Sequence, residues 1–127
     1  MHRETAITLF ALICLVTAGC GDSHDQVVRD YLAELQLMAT VLEAIETEAD
    51  AEKAKSKLKA IGKRIKAIEV RKQNLGNPSP DLEQKLKTVH MDRHHKLVIR
   101  QLDAMVKIHW KVRGIVQTIT KDIPRLY

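Results

Sequence analysis

Residues 25–50 read DQVVRDYLAELQLMATVLEAIETEAD, and the spacing of their apolar side chains decides the fold. Val28, Leu35, Leu42 and Ala49 recur at every seventh position, and Tyr31, Met38 and Ile45 follow three residues after the first three of them. An a/d repeat sustained over three heptads puts these side chains on one stripe of an α-helix. Leu32, Ala39 and Val41 widen that stripe toward a bundle face, and Ser23 with Gln26 three residues later offers a capping-box start.

Residues 51–75, AEKAKSKLKAIGKRIKAIEVRKQNL, carry an equally regular pattern in a different phase. Ala51, Leu58 and Ile65 hold one position of it, and Ala54, Ile61, Ile68 and Leu75 the other. Continuing the first register would turn Glu52, Ser56, Lys59, Lys63 and Lys66 inward, so the stripe has jumped by two residues, about 200° around a helix. The chain therefore turns near residues 47–51, where Thr47 and Asp50 are candidate N-caps and no Gly or Pro is needed.

The next punctuation is LGNPSPD at residues 75–81. Gly76 suits a helix C-cap, Ser79 an N-cap, Pro80 the first helical position and Asp81 the positive end of the helix dipole. A third helix is expected from Pro80 to about residue 122, where Ile123-Pro124 ends it. It would span about 64 Å against about 38 Å for each of the others. Either its C-terminal half protrudes, or it breaks at residues 90–96, where the apolar spacing lapses, and yields a fourth helix. Beyond the lapse, Val98, Leu102, Met105, His109, Val112, Val116, Ile119 and Ile123 alternate by four and three, flanked by Ile99, Val106, Ile108 and Ile115. That stripe is wide enough to face two neighbours, and Val98, Leu102, Met105, Val112, Val116 and Ile119 form a candidate self-association face. The fold class is all-α: an antiparallel helical bundle of three helices, or four if the third breaks.

Composition agrees. Aromatics are 3% of 127 residues, and the dominant Ala, Leu, Ile, Lys and Glu favour long helices over strands. The length leaves room for one domain, expected over residues 25–127. Charge divides along it: residues 21–50 hold eight acidic and one basic side chain (net −7), residues 51–75 nine basic and two acidic (+7), and residues 76–127 ten basic and five acidic (+5). Opposed signs favour pairing the first helix with the second; individual exposed pairs contribute only about 0–1 kcal/mol, so they select the partner more than they stabilise it.

Ahead of the domain, Arg3 is followed by the uncharged run AITLFALICLVT, residues 6–17. As a helix this run covers about 18 Å, short of the roughly 20 residues that cross a bilayer, and it has the layout of a signal peptide. It ends in Val16-Thr17-Ala18-Gly19-Cys20, which resembles the lipobox of bacterial lipoprotein precursors, departing from it at Thr17, where Leu is usual. The chemistry accounts for the pattern: a thiol is nucleophilic enough to form a thioether with a diacylglyceryl group, and small Ala18 and Gly19 leave a peptidase room at the bond before it. The resemblance implies removal of residues 1–19, acyl chains such as palmitate on Cys20, and a periplasm-facing cell-envelope protein held to a membrane by its N-terminus. With Gly21 rather than Asp directly after the cysteine, it points to the outer membrane over the inner. Residues 20–24 are then a lipidated cysteine and a short tether. Cys14 leaves with the signal, so no intramolecular disulfide is expected.

Lys53, Lys55, Lys57, Lys59, Lys63, Arg64 and Lys66 form a dense basic run, a candidate contact for anionic lipid or simply the solvated face of a bundle helix. Nucleic acid is not expected as a partner, since the run has no aromatic residue for stacking. His90 and His94 stand four apart beside His95, a spacing that can ligate a metal, although zinc wants three or four ligands and neither cysteine nor an HExxH glutamate accompanies them. His109 beside Trp110 offers a core-facing histidine, and the domain is similar in size to the b-type four-helix-bundle cytochromes of the periplasm. It lacks their early axial methionine, their C-terminal histidine and any CxxCH. No nucleophile elbow, phosphate-binding glycine loop or isolated carboxylate pair is present, so no catalysis and no cofactor are expected. The reading is a helical interaction or structural module meeting lipid, an envelope protein or a second copy; a metal- or haem-binding carrier is the alternative.

Overall fold

The computed structural model describes residues 22–112. They form three helices, α1 (His24–Glu43), α2 (Glu48–Leu75) and α3 (Pro80–Lys111), joined by two short turns. Among the described residues there is no strand, and the fold is an all-α bundle.

The ends of each helix follow from local chemistry. Ser23 caps α1 by accepting a hydrogen bond from the Gln26 amide at 3.1 Å, but the Gln26 side chain donates to Asp30 Oδ1 at 2.8 Å, so the return bond of a capping box is not made. The helix stops earlier than the heptads suggest. Ala44 keeps ordinary right-handed dihedrals, and the Ile45 N–H tightens the last turn by donating to the Leu42 carbonyl. The turn thus occupies residues 44–47, and Ala49, assigned to the first stripe by spacing, lies exposed in the first turn of α2. There the capping box is complete: Thr47 Oγ1 accepts from the Asp50 amide, and Asp50 Oδ2 accepts from the Thr47 amide. A second bond to Asp50 from the Glu46 amide closes the turn without glycine. Gly76 ends α2 at φ 72°, ψ −171°, a conformation open essentially to glycine alone. Ser79 and Pro80 then start α3.

Two expectations for α3 are corrected. It runs unbroken through residues 90–96, because residues 81–111 contain neither Gly nor Pro and the i,i+4 pairs Glu83–Lys87 and Asp92–Lys96 support the backbone across the apolar lapse. It also ends at Lys111, with Val112 out of helical dihedrals, rather than near residue 122. The helices are therefore about 30, 42 and 48 Å long, closer in length than the sequence suggested. Val116, Ile119 and Ile123 lie outside the described residues.

The core assembles around α1. Leu32, Leu35, Met38, Ala39 and Leu42 are buried on it; Val28, Tyr31 and Val41 pack at its edges. Both other helices dock on α1, α2 antiparallel through Ala51, Ala54, Leu58, Ile61 and Ile65, and α3 parallel through Leu97, Ala104 and Ile108. No Cα of α2 comes within 8 Å of one in α3. This is why α1 needs a stripe wider than a/d: it serves two neighbours whose backbones stand apart from each other.

Charge follows the same plan, and extends beyond the α1–α2 pairing expected from sequence. From α2, Arg64 pairs with Glu34 at 2.8 Å, and Arg71 joins Asp22 and Asp30 at 2.7 and 2.8 Å. From α3, Arg100 grips both oxygens of Glu43 at 2.7 and 3.0 Å, and Lys111 pairs with Glu46. An acidic helix lies between two basic ones.

Candidate functional site

Three features of this arrangement are candidates for function: the end of the bundle where α1 begins, the lysine face of α2 and the outer face of α3.

At the first of these, the start of α1, the end of α2 and the start of α3 come together. His24 Nε2 lies 3.0 Å from the Gly76 carbonyl, which ties α1 to the turn after α2. Arg71 reaches across to Asp22 and Asp30; its hydrogen bonds to Asp22 first and Asp30 second raise its pKa, and its bond to Asp30 holds that carboxyl below the ordinary range. From α3, His90 Nε2 stands 2.7 Å from Asp25 Oδ1, and Arg29 Nε binds the other oxygen at 2.6 Å. Hydrogen bonding to His90, then to Arg29, lowers the Asp25 pKa. The first residues of the domain are thus fastened from both sides within a few residues of Cys20.

Because α2 and α3 stand apart, the same end carries an open groove of about 650 Å³ with α1 as its floor. Val28, Tyr31 and Leu32 line the floor, and Ile68 of α2 with Leu86 and Met91 of α3 line the walls. Sequence reasoning did not reveal it. Each helix shows its apolar stripe in the pattern, but whether two helices that both dock on a third also meet each other leaves no periodic signal.

The histidines are placed as follows. His90 is buried against Asp25, His94 sits 6.2 Å from the Tyr31 ring, and His95 is exposed. His109 is exposed in edge-on contact with Trp110 rather than facing the core. Among the described residues, no three His, Cys, Asp or Glu side chains are grouped so as to hold a metal ion.

On α2, Arg64 is engaged with Glu34 and Lys55 with Glu52, while Lys53, Lys57, Lys59, Lys63 and Lys66 are exposed. Glu34 keeps its second oxygen buried and without a hydrogen-bond partner, a desolvation cost that the Arg64 pair offsets in part.

The apolar stripe of α3 divides in two. Val112 is buried and Val98 and Met105 are half-buried, so half of the expected self-association face is used internally. Leu102 is exposed, and with Ile99, Val106 and Trp110 it forms an outward stripe at spacings of three, four and four. The inward positions are instead Leu97, Ala104 and Ile108, with Gln101 donating at 3.2 Å to the Leu35 carbonyl. Small Ala104 lets α3 approach α1 closely.

Among the described residues, no helix is long and apolar enough to cross a membrane. Comparison of the chain with protein-family models, with curated proteins and with solved structures returned no match.

Proposed function

We propose that this chain is a lipid-anchored protein of the bacterial cell envelope whose helical domain is a non-catalytic interaction module at the membrane surface. The anchor is Cys20 in the lipobox-like Val16-Thr17-Ala18-Gly19-Cys20. From Cys20 to the cap Ser23 the tether extends at most about 11 Å, so the domain stays close to the bilayer. The outer membrane is the favoured site, with the domain in the periplasm.

The observation that carries the module reading is the exposed stripe Ile99, Leu102, Val106 and Trp110, the last 72% exposed. Contiguous apolar side chains of this size in water mark a contact surface. They face an envelope protein or a second copy, while the exposed lysines of α2 favour anionic lipid. The test uses the chain with Cys20→Ala, so that binding does not come from the anchor. The affinity for phosphatidylglycerol vesicles, read by sedimentation, should fall on the order of a hundredfold when Lys59, Lys63 and Lys66 become Gln, at about 1 kcal/mol for each lysine, and self-association or capture of envelope protein should be lost in Leu102→Glu. A domain that stays monomeric and binds neither vesicles nor envelope extract removes the reading.

A further inference from the structure

We infer that the groove between α2 and α3 shelters one fatty acyl chain of the lipid carried on Cys20, an inference that rests on the anchoring proposed above. The groove lining is mainly apolar, with Val27, Val28, Tyr31 and Leu32 beneath, Ile68 on one side and Leu86 and Met91 on the other, while His90 and His94 add polar edges to the α3 wall. The charged residues that border it, such as Lys72 and Lys87, are exposed. Its volume of about 650 Å³ lies within the roughly 300–1,000 Å³ of small-molecule sites.

Length and position select the occupant. Along α3 the groove runs from Glu83 to His94, about 16 Å at 1.5 Å per residue. A zigzag of carbon–carbon bonds of about 1.52 Å advances roughly 1.25 Å per methylene, so about 13 methylenes fill that length. The residue that would carry the lipid is close in sequence to the groove, seven before Val27, which lines it. Asp22 is fixed by Arg71, whose neighbour Lys72 lines the groove, and Cys20 lies two residues before Asp22, at most about 7 Å of chain away. Residues 113–127 start at the other end of α3, about 27 Å beyond His94. A tethered chain meets the groove at an effective concentration in the millimolar range, which favours it over free lipid. A lipoprotein carrying three acyl chains can give one to the groove, because two suffice for firm anchoring.

The test is photo-crosslinking of the full-length protein in the producing cells. A fatty acid bearing a diazirine is incorporated into the cellular lipids, the membranes are irradiated, and the protein is extracted and mapped by mass. Crosslinks from the Cys20 acyl group should fall on the peptide of residues 88–93, which contains Met91, about tenfold more often than on residues 101–107, which lie outside the groove. Met91→Glu, at a position 57% exposed and so tolerant of charge, should reduce them about tenfold with the acylated mass unchanged, while Leu102→Glu should leave them intact. Acylated Cys20 with crosslinks only to lipid, or equally to both peptides, overturns the inference and leaves the anchor standing. An unmodified Cys20 overturns both.

Discussion

Leu35 and Leu37 lie two residues apart on α1, and the same substitution at each measures how α1 is used. Leu35 is 0% exposed in the core shared with α2 and α3, while Leu37 is 49% exposed. Replacing Leu35 by Ala removes three buried carbons, worth about 2.4 kcal/mol at roughly 0.8 kcal/mol per methylene. A residual cavity adds about 24 cal/mol per Å³, and with helices on both sides the site has little room to collapse, so the expected loss is about 3–4 kcal/mol. Leu37→Ala should change stability by less than about 1 kcal/mol, since partial exposure limits the transfer loss and Ala is the better helix former. Urea unfolding followed by circular dichroism separates these outcomes. With a slope near 1.5 kcal/mol per molar, Leu35→Ala should lower the midpoint by about 2 M and Leu37→Ala by a few tenths. Equal shifts for the two variants would refute the register assigned to α1.

Gly76→Ala should destabilise by about 1–3 kcal/mol in the same assay: an added Cβ meets nothing within 4 Å, so the penalty comes from the backbone conformation at φ 72° alone. Thr47→Ala removes the hydroxyl that caps α2 and should cost about 1 kcal/mol, whereas Thr47→Ser should retain most of the stability. Acid should weaken the fold. Asp25, Asp30, Glu43 and Asp50 are held below their ordinary values of 3.8 for Asp and 4.5 for Glu, chiefly by hydrogen bonds from His90, Arg71, Arg100 and the Glu46 amide respectively. A depressed carboxyl stabilises the fold above its unfolded pKa and loses that contribution as pH falls through the folded one. Their combined contribution should be intact at about pH 5 and fade progressively below about pH 4. A urea midpoint that rises between pH 4 and pH 2.5 would contradict these ion pairs.

Much of this architecture is written locally in the chain. The heptads of residues 28–45, the phase jump into residues 51–68 and the Gly76–Pro80 punctuation each have one physical solution, and the structure adopts it. Charge carried information that periodicity lacked, since the opposed signs of α1 and α2 anticipated the ion pairs between them, although those that α3 makes with α1 were not expected. Where the reading slipped, the sequence was degenerate. Residues 97–108 are apolar around more than half of the helix, so spacing alone does not say whether Leu97 and Ala104 or Leu102 and Val106 face inward; the close approach permitted by Ala104 decides it. The lapse at residues 90–96 suggested a break because polar side chains were read as solvent-facing. Three of them reach α1 instead: His90 bonds Asp25, Arg93 donates to Gln36 at 3.0 Å, and His94 lies beside Tyr31. The groove was illegible for a related reason, being defined by the wide backbone separation of two helices that both dock on a third.

The proposal that an envelope anchor positions this bundle stands or falls on the chemistry of Cys20. The intact mass of the protein extracted from membranes tests it most directly. The account predicts a polypeptide beginning at residue 20 with the mass of diacylglyceryl, or diacylglyceryl plus an amide-linked acyl chain, added to it. A retained N-terminus, or an unmodified thiol at Cys20, contradicts it.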